Sequence, residues 1–120
     1  MSKHPIVHVE LAVNDRKAAR KFYGDLFGWE FQDYDDMNYT TFSTGEGVAG
    51  GLNPVSEDYP AGTVTFYIQT DDVTATLANI EAAGGKTVVP ETEIPGTGHF
   101  GFFMDPNGNL VGLMKWAHQA

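Results

Sequence analysis

The 120-residue chain contains no cysteine. Disulfides, thiolate zinc sites and cysteine nucleophiles are thereby excluded together, and any metal has to be held by His, Asp or Glu. Long apolar runs are also missing, since nothing approaches the ~20 consecutive apolar residues of a helical membrane span. The start, Met1-Ser2-Lys3-His4-Pro5, has a positive charge but no apolar signal core behind it, so a cytoplasmic address is the expectation. Basic residues are scarce, with 7 Lys and Arg against 16 Asp and Glu and a formal net charge of −9. That charge repels phosphate backbones and anionic lipid heads, which argues against nucleic-acid and membrane-surface roles and for a neutral or cationic small ligand.

What is present suits a folded domain. Apolar residues make up 42% and charged residues 19% of the chain, enough for one core without covalent staples. The sequence also repeats itself. Asp15 and Asp72, Ala18 and Ala75, Leu11 and Ile68, Val9 and Phe66, and Gly28 and Gly85 are each 57 apart. A second register, 61 apart, pairs Tyr39 with Phe100, Phe42 with Phe103, Gly47 with Gly108, Gly51 with Gly112 and Leu52 with Leu113. Two copies of one design are predicted.

Each copy opens with alternation, the mark of a half-buried strand. Val7, Val9, Leu11 and Val13 point one way and His8, Glu10 and Ala12 the other; later Val64, Phe66 and Ile68 oppose Thr65, Tyr67 and Gln69. A helix follows in each. Asn14 or Asp15 caps a stripe of Ala19, Phe22, Tyr23, Leu26 and Phe27 ended by Gly28, and Asp71 or Asp72 caps Val73, Leu77 and Ile80 ended by Gly84-Gly85. Short β-runs complete the copies, at 29–31, 38–43 and 48–52, then at 87–89, 99–104 and 110–116. The pattern is βαβββ twice, module 1 over about 4–53 and module 2 over about 63–117, joined by the turn-rich link 53–62. One helix per module covers one sheet face only. The polar sets on the other face make a natural groove for a ligand.

The strand His8-Val-Glu-Leu-Ala-Val-Asn-Asp, the stretches Phe22-Tyr23-Gly24 and Phe27-Gly28-Trp29, and Asp105-Pro-Asn-Gly-Asn109 before an apolar strand resemble the vicinal oxygen chelate superfamily over nearly the whole chain. That group includes glyoxalase I, extradiol dioxygenases, methylmalonyl-CoA epimerase, fosfomycin-modifying enzymes and bleomycin-binding resistance proteins. The resemblance implies an α+β fold in which two βαβββ modules form a cupped mixed sheet with helices on the outer face. It further implies a homodimer and, in the enzymes, a divalent metal held by the first and last strands of the modules. Carried over, the first-strand positions fall on His8 and on Thr65 or Val64, and the last-strand positions on Gly51 and Gly112. One imidazole does not hold a catalytic metal, which needs three protein ligands. Glu10, ~6.6 Å from His8 along the same strand face, would be the second donor if a metal binds.

His8 and Glu10 are thus the candidate catalytic or metal residues. With Tyr39, Thr65, Tyr67, Gln69, His99, Phe103, Met114 and Trp116 they make up the candidate ligand-binding set, aromatic and polar groups that suit planar or amphipathic ligands. Helix residues Arg16, Lys17, Arg20 and Lys21, four of the seven basic residues, are expected on a solvated outer face, His4 in solvent, and His118 in a C-terminal tail. Gly45-x-Gly47-x-x-Gly50 and Gly96-x-Gly98-x-x-Gly101 match a dinucleotide pattern but lack the strand-to-helix context that makes it bind pyrophosphate. The expectation is a small-molecule-binding protein with no cofactor, no metal, no nucleic-acid and no membrane partner. The alternatives are a lyase, isomerase or dioxygenase with a displaced metal site at His8 and Glu10, and a regulatory or assembly module.

Overall fold

Asp15 and Asp72, 57 positions apart, close the same hydrogen bond at the start of two helices. Each lies in extended backbone and its carboxylate accepts the N–H three residues on, from Ala18 at 3.1 Å and from Ala75 at 3.0 Å. This satisfies an otherwise orphaned donor of the first turn. The computed structural model describes residues 3–57, 59–60 and 62–117, so His118 lies outside the described residues. Helix α1 spans Arg16–Phe27 and α2 spans Val73–Ala82. Gly28 ends α1 in left-handed backbone (φ 73°), returning its N–H to the Gly24 carbonyl, a conformation that favours glycine. Among the described residues no helix is long and apolar enough to cross a membrane.

The strands are β1 (Ile6–Val13), β2 (Glu30–Tyr34), β3 (Tyr39–Ser43), β4 (Gly50–Pro54), β5 (Val64–Gln69), β6 (Lys86–Ile94), β7 (Gly98–Met104) and β8 (Leu110–Trp116). The fold is α+β, built as βαβββ twice. By packing the chain divides into two compact units, His8–Thr65 and Met1–Val7 with Phe66–Ala120. In the first unit β1 runs parallel to β4, and β4–β3 and β3–β2 are antiparallel. In the second β5 runs parallel to β8, and β8–β7 and β7–β6 are antiparallel. The sequence repeat is therefore a repeat of topology.

Two boundaries differ from expectation in ways that matter. Pairing with β1 carries β4 on to Pro54, opposite Val13, so Asn53 belongs to a strand and not to the link. Strand β6 runs on to Ile94 through Pro90, with register shifts on either side of Val89; an edge strand tolerates a proline that a central one would not.

Beneath α2, Val73, Leu77, Phe103, Val111 and Leu113 pack together with Ile68 and Ile80 against them, each fully buried side chain contributing ~1.5–3 kcal/mol. Helix α1 is different. Trp29 stacks on buried Phe42 at 4.7 Å and Tyr23 on Trp29 at 4.9 Å, but the helix has no buried residue and leaves Phe22, Leu26 and Phe27 exposed.

Candidate functional site

Strand pairing decides which side chains share a face. Glu10 lies opposite Gly51 and Ala12 opposite Asn53 across β1 and β4, and Thr41 lies opposite Gly51 across β3 and β4. By the period of two, His8, Glu10, Tyr39 and Asn53 all stand on the face away from Phe42, Leu52 and α1. There they form one hydrogen-bonded cluster. The Tyr39 hydroxyl donates to Glu10 Oε2 at 2.8 Å and Asn53 Nδ2 donates to Glu10 Oε1 at 2.7 Å. His8 Nε2 is 2.9 Å from the Tyr39 hydroxyl and 3.4 Å from Glu10 Oε2. The one phenolic proton goes to Glu10, so His8 donates from Nε2 to the Tyr39 oxygen. Glu10 is 7% exposed and both of its oxygens accept hydrogen bonds, as a buried polar group requires. Burial first, then the Glu10 charge and hydrogen bond, push the Tyr39 phenol well above its usual range, so it remains a protonated donor.

Tyr39 is aimed by a clamp on the opposite face. Arg16, the first residue of α1, donates to the Tyr39 carbonyl at 3.1 Å, to Thr40 Oγ1 at 2.9 Å and to Asn38 Oδ1 at 3.1 Å, and pairs with Asp35 at 3.3 Å. These contacts fold the 3-10 turn Asp35–Met37 back against the helix. Arg16, expected in solvent, has a side chain only 18% exposed. Arg20, which pairs with Asp33 and lies over the Phe31 ring, and Lys21, which pairs with Asp25 at 2.8 Å, are more open.

Glycine at the two positions 61 apart has a packing reason. A Cβ on Gly51 would fall inside the Tyr39 hydroxyl, and one on Gly112 would meet the Tyr67 ring at 2.5 Å. In both modules a tyrosine fills the space that a side chain there would need.

The remaining expected site residues divide. Thr65 is buried at 2% exposure and lies in the same compact unit as Glu10. In the other unit Tyr67 pairs with Gly112 and Gln69 with Met114, so these share a face, and Trp116 shares it by parity along β8. Phe103 does not join them: it is in the core under α2. His99 has the parity of Phe103 and its Nδ1 lies 3.0 Å from Glu91 Oε2, while Glu91 Oε1 accepts from Thr74 N and Oγ1 at the start of α2. The β7 aromatics on the Tyr67 face are Phe102, its ring centroid 5.3 Å from that of Tyr67, and Phe100, 5.7 Å from Phe102. The 61-residue repeat carried the signal that separates these pairs, matching Phe100 to Tyr39 and Phe103 to buried Phe42. His4 is exposed and donates from Nδ1 to the Gln69 carbonyl at 3.0 Å.

A family model described as the glyoxalase/bleomycin resistance protein/dioxygenase superfamily matches residues 5–113. The chain belongs to that superfamily. Among its relatives, “Putative glyoxylase CFP32” of Mycobacterium tuberculosis is 34% identical over 89% of this chain, a match spanning only 44% of that protein, so the chain covers less than half of it. “Probable lactoylglutathione lyase” of Vibrio cholerae is 32% identical over 98% of this chain and 96% of its own length. The crystal structure of a hypothetical protein, BH1468 of Bacillus halodurans, superposes with a TM-score of 0.75 at 16% identity over 99% of both chains, which shows the shared fold.

Of the four positions that the resemblance indicates, only His8 offers a normal metal donor, with Glu10 beside it. Among the described residues no three His, Asp or Glu side chains converge on a point. Tyr39 occupies the space over Gly51, where a last-strand ligand would stand. The residues do not fit the metal.

Proposed function

We propose that the chain is a metal-independent small-molecule-binding protein whose ligand docks on the face of the first module that carries His8, Glu10, Tyr39 and Asn53. The state of Glu10 carries this reading. A buried carboxylate held by a phenol and a carboxamide, with the His8 imidazole 3.4 Å away, is an acceptor-rich anchor that suits a ligand bearing an amine or a hydroxyl donor. The chain's charge of −9 favours the same ligands.

The decisive experiment measures metal content and ligand response together. Protein purified without chelator is expected to carry well under one divalent ion per chain by elemental mass spectrometry, and nickel, zinc, manganese or iron(II) should leave its melting temperature unchanged. Metal-free bleomycin, a cationic glycopeptide named by the family description, should raise it, since a ligand at 100 times its Kd adds ~2.7 kcal/mol. One tightly held ion per chain, lost in His8→Ala, would overturn the reading.

The names of the relatives favour a second reading, an enzyme of the lactoylglutathione lyase kind. It requires formation or breakdown of S-lactoylglutathione that Glu10→Gln abolishes in a folded protein. Equal turnover in the variant removes this site from the chemistry.

A further inference from the structure

Four polar or charged side chains are buried among the described residues: Glu10, Thr40, Thr65 and Thr70. Three are satisfied. Glu10 accepts from Tyr39 and Asn53. Thr40 donates to Asp33 at 2.7 Å and accepts from Arg16 at 2.9 Å. The Thr70 and Thr76 hydroxyls are 2.6 Å apart. Thr65 differs: its Oγ1 is the one buried side-chain polar atom among the described residues with no hydrogen-bond partner. Buried hydroxyls are almost always bonded, so an orphan points to a partner that arrives from outside the chain.

Its place in the fold says which partner. Thr65 stands 57 positions after His8, in the slot where the first module presents its imidazole. It shares the compact unit of Glu10, and the hydrogen bond from Ala12 N to the Thr63 carbonyl, 3.2 Å, brings the start of β5 alongside the end of β1. We propose that the Thr65 hydroxyl is a ligand contact, held for a polar atom of the molecule that Glu10 anchors; the assignment rests on the small-molecule-binding reading above. A hydroxyl both donates and accepts, so Thr65 suits an amine, a hydroxyl or a carbonyl oxygen on a ligand whose cationic or donor end is met by Glu10. It sets the orientation of the ligand, while the carboxylate supplies the attraction.

The test compares Thr65→Val, which keeps the shape and removes the hydroxyl, with Thr65→Ser, which keeps the hydroxyl. In the ligand-free protein Thr65→Val is expected to melt at the wild-type temperature or up to about 4 °C higher, because a polar group without a partner is removed. Titrated calorimetrically with metal-free bleomycin, Thr65→Val should bind about tenfold more weakly, the loss of one hydrogen bond, and Thr65→Ser within about twofold of wild type. A Thr65→Val protein that melts lower than wild type shows that the hydroxyl has a partner within the free protein and overturns the proposal. Equal bleomycin affinity in wild type and Thr65→Val overturns the Thr65 assignment alone. A wild type indifferent to bleomycin counts against the binding function and the Thr65 contact together.

Discussion

At the scale of single residues, Tyr39 fills the space over Gly51, donates to Glu10 and accepts from His8. Removing its hydroxyl leaves Glu10 Oε2 short of a donor in a buried place, so Tyr39→Phe should cost ~1–3 kcal/mol in urea denaturation. The pH dependence has a definite sign. The folded phenol titrates higher than the unfolded one, so its contribution is complete below the ordinary tyrosine value near 10 and is lost as the pH rises beyond it. Wild-type stability should therefore fall above pH ~10 more steeply than that of Tyr39→Phe; parallel profiles would remove Tyr39 from the linkage. The shared face of His8 and Glu10 was legible because alternation along β1 assigns it; Tyr39 was named for its ring and phenol, since Tyr39-Thr40-Thr41-Phe42 has no alternation to place it. Asn53 was not, since Pro54 beside it has the look of a turn, although it lies two residues after Gly51 and so on the same face. His99 and Phe103 lie one step out of parity with Phe100 and Phe102, a distinction that the 61-residue repeat already carried by pairing Tyr39 with Phe100 and Phe42 with Phe103.

At the scale of elements, caps and strands follow local rules that a sequence displays openly. Asp15, Asp72 and Gly28 do at the helix ends what their side chains or backbone freedom favour. Arg16 obeys a rule of another kind. Its place on the polar side of α1 suggests solvent, and its burial depends on the 3-10 turn Asp35–Met37 returning to it from about 20 residues on, a non-local event with no periodic trace. The clamp makes a prediction. Arg16→Met keeps most of the stem but leaves the Tyr39 carbonyl and the Thr40 hydroxyl without their donor, so stability should drop by ~2–3 kcal/mol in urea denaturation. Because the clamp holds the strand from which Tyr39 reaches Glu10, bleomycin should also bind more weakly. Asp72→Ala, which removes a cap of similar local standing on α2, should cost only ~1 kcal/mol and leave that affinity alone. Equal losses of affinity in the two variants would mean that Arg16 acts through general stability and not through Tyr39.

At the scale of the whole molecule, the repeat was legible in its topology, and the chemistry of the two copies was not equally so. Matching glycines and caps recur because each module solves the same packing problem, whereas the facing side chains have diverged, a polar cluster around Glu10 in one and the aromatic set of Tyr67, Phe100 and Phe102 in the other. Net charge is the property that the chain expresses as a whole. At −9 it surrounds the molecule with a field that draws cations and is screened over ~10 Å at 0.1 M salt. Two terms then add in the binding of a cationic ligand, a local one from Glu10 and a diffuse one from the surface, and salt separates them. Between 0.05 and 0.5 M sodium chloride, bleomycin affinity should fall several-fold as the diffuse term is screened. Glu10→Gln, which keeps the size of the side chain, turns one acceptor oxygen into a donor and removes one buried charge, should bind more weakly at both concentrations with nearly the same salt slope, because the surface field is almost unchanged. A variant whose salt dependence vanishes along with its affinity would place the whole attraction at Glu10, and affinity that ignores salt in both proteins would mean that the acidic surface has no part in recognition.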